Sequence, residues 1–572
     1  MTFSGRNWRL LPHHENKSFL VNLLRQRGIT DQTAADIFFT SGLTEASYNP
    51  LLLPDMEVAV ERLRQAKEKQ EAVVIHGDYD VDGISGTAIL FQSLRRDFGL
   101  EHCSYYLPSR FKDGYGLNEK VVRQFAAEGI KLLITVDCGT VSLPQIAVAQ
   151  ELGIDVIVLD HHLPGEELPA ALALVNPKRA DSKYKHASPC ATGLAFKLVQ
   201  ALVPEAAEQY LDLAALATVV DCVSLFGENR ALVKAGLAAM QHGRLRPGLK
   251  ALLAKVMREG SELSAADLGF KVGPVINVAG RLGDPVLALK LLLAETELAV
   301  EEVLEQLLYL NKQRQKITAE AMQEAQTLLV PDAPVVLIKS PHFMSGIVGI
   351  MAARLQETLG RPAIVAEERE EFCVGSARAL PGFDITALLA TQADKLVAFG
   401  GHAGAGGFTI HKDHWPAFAA GIQAEAAKML AGADLRPTLD LDCELQAAEI
   451  DWPLLRLLER LAPFGTGNKE PVFLLRNAIV CSARLVGSGG KHLKLDLKLG
   501  GKILAGIAFS VDTWVNREEL SRGEAVDLAC HLAENVWQGV SSIQLKILDI
   551  GRAVAIAANA VEDKSKVLSK MH

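Results

Sequence analysis

Between residues 72 and about 225 the chain alternates short, uniformly apolar runs with longer stretches in which apolar positions recur every three or four residues. The runs are AVVIHG, KLLITVDCG and DVIVLDHH; the periodic stretches predict helices over 85–98, near 141–152 and across 190–220. Continuous apolar runs of this length predict strands covered on both faces, hence a parallel α/β sheet with helices on either side. From 245 to 330 the pattern is helical, and 285–330 keeps that period through Glu295, Glu301, Glu302, Glu305, Lys312 and Arg314, which predicts a long amphipathic connector. A second α/β unit follows: APVVLIK at 333–339, a helix near 346–359, RPAIVAEE, EFCVGSARA, and a helix ending in FGGHAGAGGFTI. Beyond about 436 the segments shorten and alternate, as in KHLKLDLKL (491–499), ILAGIAFS and VDLACHLAE, which suits a small antiparallel barrel or sandwich. Residues 1–70 are mostly helical in pattern and read as a leader packed on the first domain.

Composition narrows the class. At about 150 residues per domain, 572 residues predict roughly four domains. A 49% hydrophobic and 22% charged composition excludes a disordered chain. With 59 basic against 68 acidic side chains the net charge is -9, so a polyanionic partner has to meet a local basic patch. Eight scattered cysteines without a Cys-x-x-Cys pair predict buried thiols in a reducing compartment, with neither structural zinc nor a disulfide framework. The first residues carry no apolar signal core and no stretch reaches about 18 apolar residues, so a cytoplasmic protein with no membrane span is expected.

The chemistry concentrates in VVIHGDYDVDGISGTA (73–88), where an apolar strand runs into a loop with His76, Asp78, Asp80 and Asp82 and then opens a helix. Crowded carboxylates raise one another's pKa, so this run calls for cations to neutralise it. A solvated acidic turn before a helix N-terminus is the plain alternative. Two further apolar strands end in Asp137-Cys138-Gly139 and in Asp160-His161-His162, and the apolar run LAALATVVDC ends at Asp221. In an open α/β sheet ligands bind beyond the carboxyl ends of the strands, where these groups converge. Aspartate and histidine donors without cysteine select Mn²⁺ or Mg²⁺, and so many of them predict two ions. Such a pair clamps the attacking and leaving oxygens of a displacement at phosphorus, which predicts phosphoester hydrolysis.

His76-x-x-x-Asp80-x-Asp82, Asp137 and Asp160-His161-His162 resemble the DHH phosphoesterase superfamily, and FGGHAGAGGF (399–408) resembles the glycine-rich motif of its DHHA1 companion domain. PSRFKDGYGL (108–117), VINVAGRLGD (275–284), GSARA (375–379) and PFGTGNKEPVF (463–473) are similar to the branch of single-strand-specific 5′-to-3′ DNA exonucleases, in unbroken order over about residues 50–550. The resemblance implies an α/β chain. Its parts are a helical leader (1–70), a parallel-sheet DHH domain (71–230), a helical region with connector helix (231–332), a smaller α/β DHHA1 domain (333–432) and an OB-like β-barrel domain (433–572).

It also implies roles. His76, Asp80 and Asp137 would hold one ion, and Asp82, Asp137, His161 and Asp221 the other, with Asp137 as the bridge. His162 would donate a hydrogen bond or proton to the scissile phosphate, Asp160 would orient the neighbouring imidazole, and Asp78 would support without ligating. Arg281, Ser376 and Arg378 would receive a 5′-terminal phosphate, Arg110 a phosphate nearer the metals, and His402 would face the phosphate path; the arginines are read as loop residues.

The last domain carries the required local patch: Arg476, Arg484, Lys491, Lys494, Lys498 and Lys502 against Asp496. Alternation puts Lys491, Leu493, Leu495, Leu497 and Leu499 on one face of KHLKLDLKL and His492, Lys494, Asp496 and Lys498 on the other, which suits tracking of a strand backbone; lysines guarding a sheet edge are the alternative. Phe473, Phe509 and Trp514 are the aromatics available for base stacking. The expected substrate is single-stranded DNA, degraded to mononucleotides in repair and recombination, and the resemblance implies a helicase and a single-strand-binding protein as partners. With all ligands in one chain, a monomer is the simplest expectation. Two other readings stay open: an oligonucleotide or cyclic-dinucleotide phosphodiesterase, and a non-catalytic single-strand-binding replication scaffold.

Overall fold

The computed structural model describes residues 2–553 except 14–17, 41, 44–46, 115, 185–187, 433, 435 and 512–519. The chain forms two compact units: a larger one of residues 31–435 and 463–469, and a smaller one of residues 1–30, 436–462 and 470–572.

In the larger unit, the strands β1 (Val73–Gly77), β2 (Cys103–Tyr106), β3 (Leu132–Val136), β4 (Asp155–Leu159) and β5 (Ala173–Val175) make a parallel sheet in the order β2-β1-β3-β4-β5. Every residue of β1 and β3 is buried because helices cover both faces. Ile75, Ile134 and Ile157 enter one core, and Val74, Leu133 and Val156 the opposite one. Strand order reverses between β1 and β3, the crevice where doubly wound sheets bind ligands. Gly77, Val136 and Leu159 pair in one register line, so Asp78, Asp137 and Asp160 leave the sheet side by side. The helices that shape the site are α1 (Val81–Gln92), α2 (Ala191–Leu202), α3 (Leu211–Val220) and α4 (Gly227–Gln241). Helix α1 begins four residues before the expected Ser85, which places Asp82 in its first turn instead of in a loop.

Helix α5 (Gly273–Leu282) leads toward the connector α6 (Glu297–Thr327), a single helix of 31 residues capped by Thr296. Val300, Leu304 and Leu307 of α6 join the first core, whereas Ala321 and Ala325 join the core of the second sheet. That sheet contains β6 (Val336–Ser340), β7 (Ala363–Glu368), β8 (Phe372–Arg378), β9 (Leu396–His402) and β10 (Ala405–His411), in the order β9-β10-β8-β7-β6. Only β6 and β7 pair in parallel; helix α7 (Ser345–Leu359) follows β6. FGGHAGAGGFTI is thus a β-hairpin, not the end of a helix.

The smaller unit closes a five-stranded barrel from β11 (Phe473–Val486), β12 (His492–Leu499), β13 (Lys502–Ala508), β14 (Ala525–Trp537) and β15 (Val540–Arg552). Its order is β11-β12-β13-β15-β14 and back to β11; the β13–β15 pair is parallel, so the barrel is not purely antiparallel as expected. Residues 1–30 belong to this unit rather than forming a leader on the first domain. The strand Asn7–Leu10 pairs in parallel with Thr438–Leu441, and the Trp8 indole N–H donates to Asp549 at 2.8 Å. No helix among the described residues is long and apolar enough to cross a membrane.

Candidate active site

Each carboxylate at the sheet edge is held by a local device. Asp80 caps α1, its Oδ1 accepting from the Asp82 and Gly83 amides at 2.9 and 3.2 Å. A Cβ at Gly83 would lie 2.4 Å from the Asp78 amide nitrogen, so the first turn of α1 can close over β1 only with glycine there. The Asp82 oxygens accept from the Ala191 and Thr192 amides at the start of α2, both at 2.7 Å, an anion seat at a helix N-terminus. Asp137 sits at φ 63, a left-handed backbone uncommon outside glycine, asparagine and aspartate. Asp160 Oδ1 accepts from the His161 and His162 amides at 2.7 and 3.1 Å and pairs with His162 Nδ1 at 2.7 Å, and Oδ2 accepts from the Thr140 amide.

Imidazole and carboxylate donors converge. His161 Nε2 stands 3.3 Å from Asp137, 3.5 Å from Asp221 and 3.7 Å from Asp82. Two donors each about 2.1 Å from a shared ion stand roughly 3.0–3.5 Å apart. Three groups have donor atoms within 4.8 Å of one another: Asp82-His161-Asp221, Asp78-Asp80-Asp137 and Asp137-His161-His162. Asp137 belongs to two of them. Asp78, expected to support without ligating, lies within the second, while His76 lies in none. His76 Nδ1 contacts the Cys138 sulfur at 3.7 Å, and its Nε2 is buried with no hydrogen-bond partner, as are Asp78 Oδ1, His161 Nδ1 and Asp221 Oδ2. Buried polar atoms left bare in this way fit a divalent cation.

The electrostatics agree. Burial, then Asp82 and Asp80, pushes the Asp221 carboxyl up to about 9. Burial and neighbouring carboxylates raise Asp78, Asp80 and Asp137, and burial lowers His161 and takes His76 down to about 4. Groups whose pKa is raised by folding stabilise the metal-free protein below about pH 4 and lose that contribution as pH rises through the folded value, near 9 for Asp221. A divalent ion bound at these carboxylates would take the place of those protons. Saturating Mn²⁺ should therefore raise the melting temperature by several degrees, and by more at pH 8 than at pH 6; scanning calorimetry at both values checks this, and equal shifts would count against ion binding at these carboxylates.

A second constellation is cationic. Arg281 is in the last turn of α5, where its Nη1 donates to the Gly346 carbonyl at 3.2 Å. Arg378 ends β8 and donates to Ser376 Oγ at 2.9 Å. Only Arg110 is in a loop as expected, its guanidinium 4.2 Å from the Tyr79 ring centre and its Nε donating to the Gly280 carbonyl. A Cβ at Gly349 of α7 would sit 3.3 Å from both Arg378 and Ser376, so this helix lines the same pocket. His402 ends β9; it pairs with Ala405, which pairs with Arg378. Burial, then Arg110, Arg314 and Arg378, pulls Arg281 down to about 10 against Asp80, the signature of a cluster built for an anion. Arg314 joins this field although its sequence context marked it only as part of the connector, because helical periodicity alone gives no sign of which face meets the pocket.

On the barrel, Arg484, Lys494, Ile507, Lys546 and His531 pair in one register row across five strands, so their side chains share the outer face. Leu493, Leu495, Leu497 and Leu499 are buried as the alternation predicts. Arg476 pairs with Glu444 and Asp527 and so leaves the basic patch. Phe473 is fully buried and cannot stack on a base; Phe509 is exposed beside His492, and Trp514 lies outside the described residues. Trp537, 71% exposed at the tip of the β14–β15 hairpin, is not among the aromatics picked out by sequence; the polar Gln538-Gly539 turn, positive in φ at both residues, is its only signal.

Comparison with known proteins agrees with this geometry. Residues 72–218 match the DHH family N-terminal domain, 333–428 the DHHA1 domain and 441–549 the RecJ OB domain. The single-stranded-DNA-specific exonuclease RecJ of Dickeya dadantii is 36% identical over 525 residues, covering 87% of this chain and 90% of that protein. RecJ from Thermus thermophilus superposes with a TM-score of 0.82 as its Mn²⁺ complex, at 29% identity over 96% of this chain and 80% of that one. Its Mg²⁺ complex gives 0.76, at 27% identity over 96% and 79%. With a relative at this identity aligned along nearly all of both chains, and the acidic switch point intact, this chain belongs to the RecJ family, the single-stranded-DNA-specific exonucleases among the DHH phosphoesterases.

Proposed function

We propose that the protein removes mononucleotides from the 5′ end of single-stranded DNA, using two divalent ions at the sheet edge. The observation that carries this reading is the placement of Asp137 in two donor groups at one switch point. Asp82, Asp137, His161 and Asp221 would hold one ion, and Asp80 and Asp137, with Asp78 or His76, the other, so that Asp137 would be the bridge. The ions, Mn²⁺ or Mg²⁺, supply a hydroxide near neutral pH and charge neutralisation at phosphorus. His162, held by Asp160, donates a proton or hydrogen bond to the scissile phosphate. Arg281, Ser376 and Arg378 seat the terminal phosphate and so set polarity, Arg110 and His402 line the path, and the basic row of the barrel tracks the strand. With its donors in one chain the enzyme acts as a monomer, on strands opened by a helicase and coated by a single-strand-binding protein.

A time course on DNA labelled separately at each end, with Mn²⁺ or EDTA and beside a matched duplex, tests this. Mn²⁺-dependent release of mononucleotides from the 5′ end of the single strand alone is expected. Release from the 3′ end would overturn the polarity, and cleavage restricted to di- to tetranucleotides would favour a small-substrate phosphodiesterase. In the same assay Arg378→Ala should abolish the preference for a 5′-phosphate over a 5′-hydroxyl, a change of about tenfold or more for one lost charge-assisted contact.

A further inference from the structure

Residues 463–469 belong to the larger unit although the chain on both sides of them lies in the smaller one. The segment is folded on itself: fully buried Asn468 donates from Nδ2 to the Pro463 carbonyl at 2.9 Å, and the Gly465 amide donates to the Asn468 carbonyl at 2.9 Å. It grips the backbone that follows Asp221. The Leu225 amide donates to the Thr466 carbonyl at 2.9 Å, and the Thr466 side chain hydrogen-bonds the Cys222 thiol. Gly467 has φ +79, and a Cβ there would fall 2.7 Å from Ser224 Oγ and 2.9 Å from the Phe226 ring. A Cβ at Gly465 would fall 2.7 Å from Leu225. Arg230 of α4 fastens the loop from behind, donating to the Pro463 carbonyl at 3.3 Å while its guanidinium stacks 3.8 Å from the Phe38 ring centre.

Asp221 itself has little to hold it. It closes α3, Cys222 turns away at φ 57, and Asp221 Oδ2 is buried without a hydrogen-bond partner, 3.5 Å from His161. Asp82, by comparison, is fixed by two amides of α2. The position of the Asp221 carboxylate is therefore set by the backbone of 222–226. We propose that Gly465-Thr466-Gly467 is a positioning latch for Asp221, so that a segment contributed from beyond residue 436 completes the ion group Asp82-His161-Asp221. The proposal rests on the reading of Asp221 as a ligand.

The test uses full-length protein and reads Mn²⁺ binding directly, by calorimetry and by the spin-resonance signal of free Mn²⁺, with single-stranded DNA affinity measured in EDTA. Gly467→Ala should weaken Mn²⁺ binding about tenfold, the low end of what removing a support of a metal ligand costs. Its turnover should fall at low Mn²⁺ and recover at high Mn²⁺, with DNA affinity unchanged. Thr466→Val, which keeps the backbone and loses only the bond to Cys222, should weaken Mn²⁺ binding about threefold, and it decides the matter if Gly467→Ala does not fold. Unchanged Mn²⁺ affinity in Thr466→Val and in any folded Gly467→Ala, while Asp221→Asn weakens it, would overturn the latch. Unchanged affinity in Asp221→Asn would instead remove Asp221 from the ligands.

Discussion

Replacing Asp137 by alanine should lower turnover on single-stranded DNA by about a thousandfold or more, with DNA affinity in EDTA within about twofold of the parent. Asp137 leaves β3 between Asp78 and Asp160 and is the member shared by the groups Asp78-Asp80-Asp137 and Asp137-His161-His162. In the proposed two-ion arrangement Asp137 would serve both ions, so its loss would leave each short of a donor and their mutual repulsion unscreened. A loss of about 4 kcal/mol of transition-state stabilisation corresponds to that factor. The arginines proposed to grip phosphate form a separate cluster, so affinity should survive. Alanine is also less at home than aspartate at φ 63, because it lacks the short polar side chain that can hydrogen-bond locally there. Asp137→Asn is the companion variant, because asparagine tolerates that backbone and keeps the shape. Turnover within about tenfold of the parent in either variant at saturating Mn²⁺ would remove Asp137 as the bridge.

The acidic edge was legible because all three strands run parallel: a run that ends in aspartate must deliver it to the same side as the next. Their common level was not legible, since it depends on the register line through Gly77, Val136 and Leu159. Within the Asp-x-Asp-x-Asp run the sequence shows three carboxylates but not their directions. The helix begins early enough that Asp80 becomes its cap and Asp82 reaches back to the amides of α2, leaving Asp78 beside Asp137. Arg281 and Arg378 stand out by motif yet read as loop residues, because nearby glycines resemble breakers where they serve close packing: a Cβ at Gly346 would meet the Arg281 carbonyl at 2.1 Å. Least legible were the nonlocal placements. The pairing of Asn7 with Thr438 and the return of 463–469 to the larger unit join segments hundreds of residues apart, and no local period encodes them. Phe473 fails as a stacking residue for a related reason: barrel closure onto β14 buries the start of β11, pairing Phe473 with Cys530.

Asp160→Asn should cut turnover by about a hundredfold or more and move the alkaline limb of its pH profile to lower pH. The Asp160–His162 bond at 2.7 Å raises the imidazole's pKa above the ordinary histidine value, outweighing the opposing effect of burial. Burial alone would raise Asp160, but its bonds to His162 and to the Thr140 and His162 amides hold it below the usual carboxylate range, so it stays charged. An imidazole that donates to the scissile phosphate works in its protonated form, and activity falls as pH rises through its pKa. Asparagine removes the charge that raises that pKa, so the fall comes earlier. It can also accept from the imidazole without favouring the cation, which separates the electrostatic role from simple orientation. The check is a profile of kcat between about pH 6 and 9 at saturating Mn²⁺, for the parent, Asp160→Asn and His162→Ala. His162→Ala should lose the limb altogether, because no imidazole remains to titrate. An unmoved limb in Asp160→Asn would mean that Asp160 only steers the ring, and an unchanged limb in His162→Ala would assign the titration to a group other than His162.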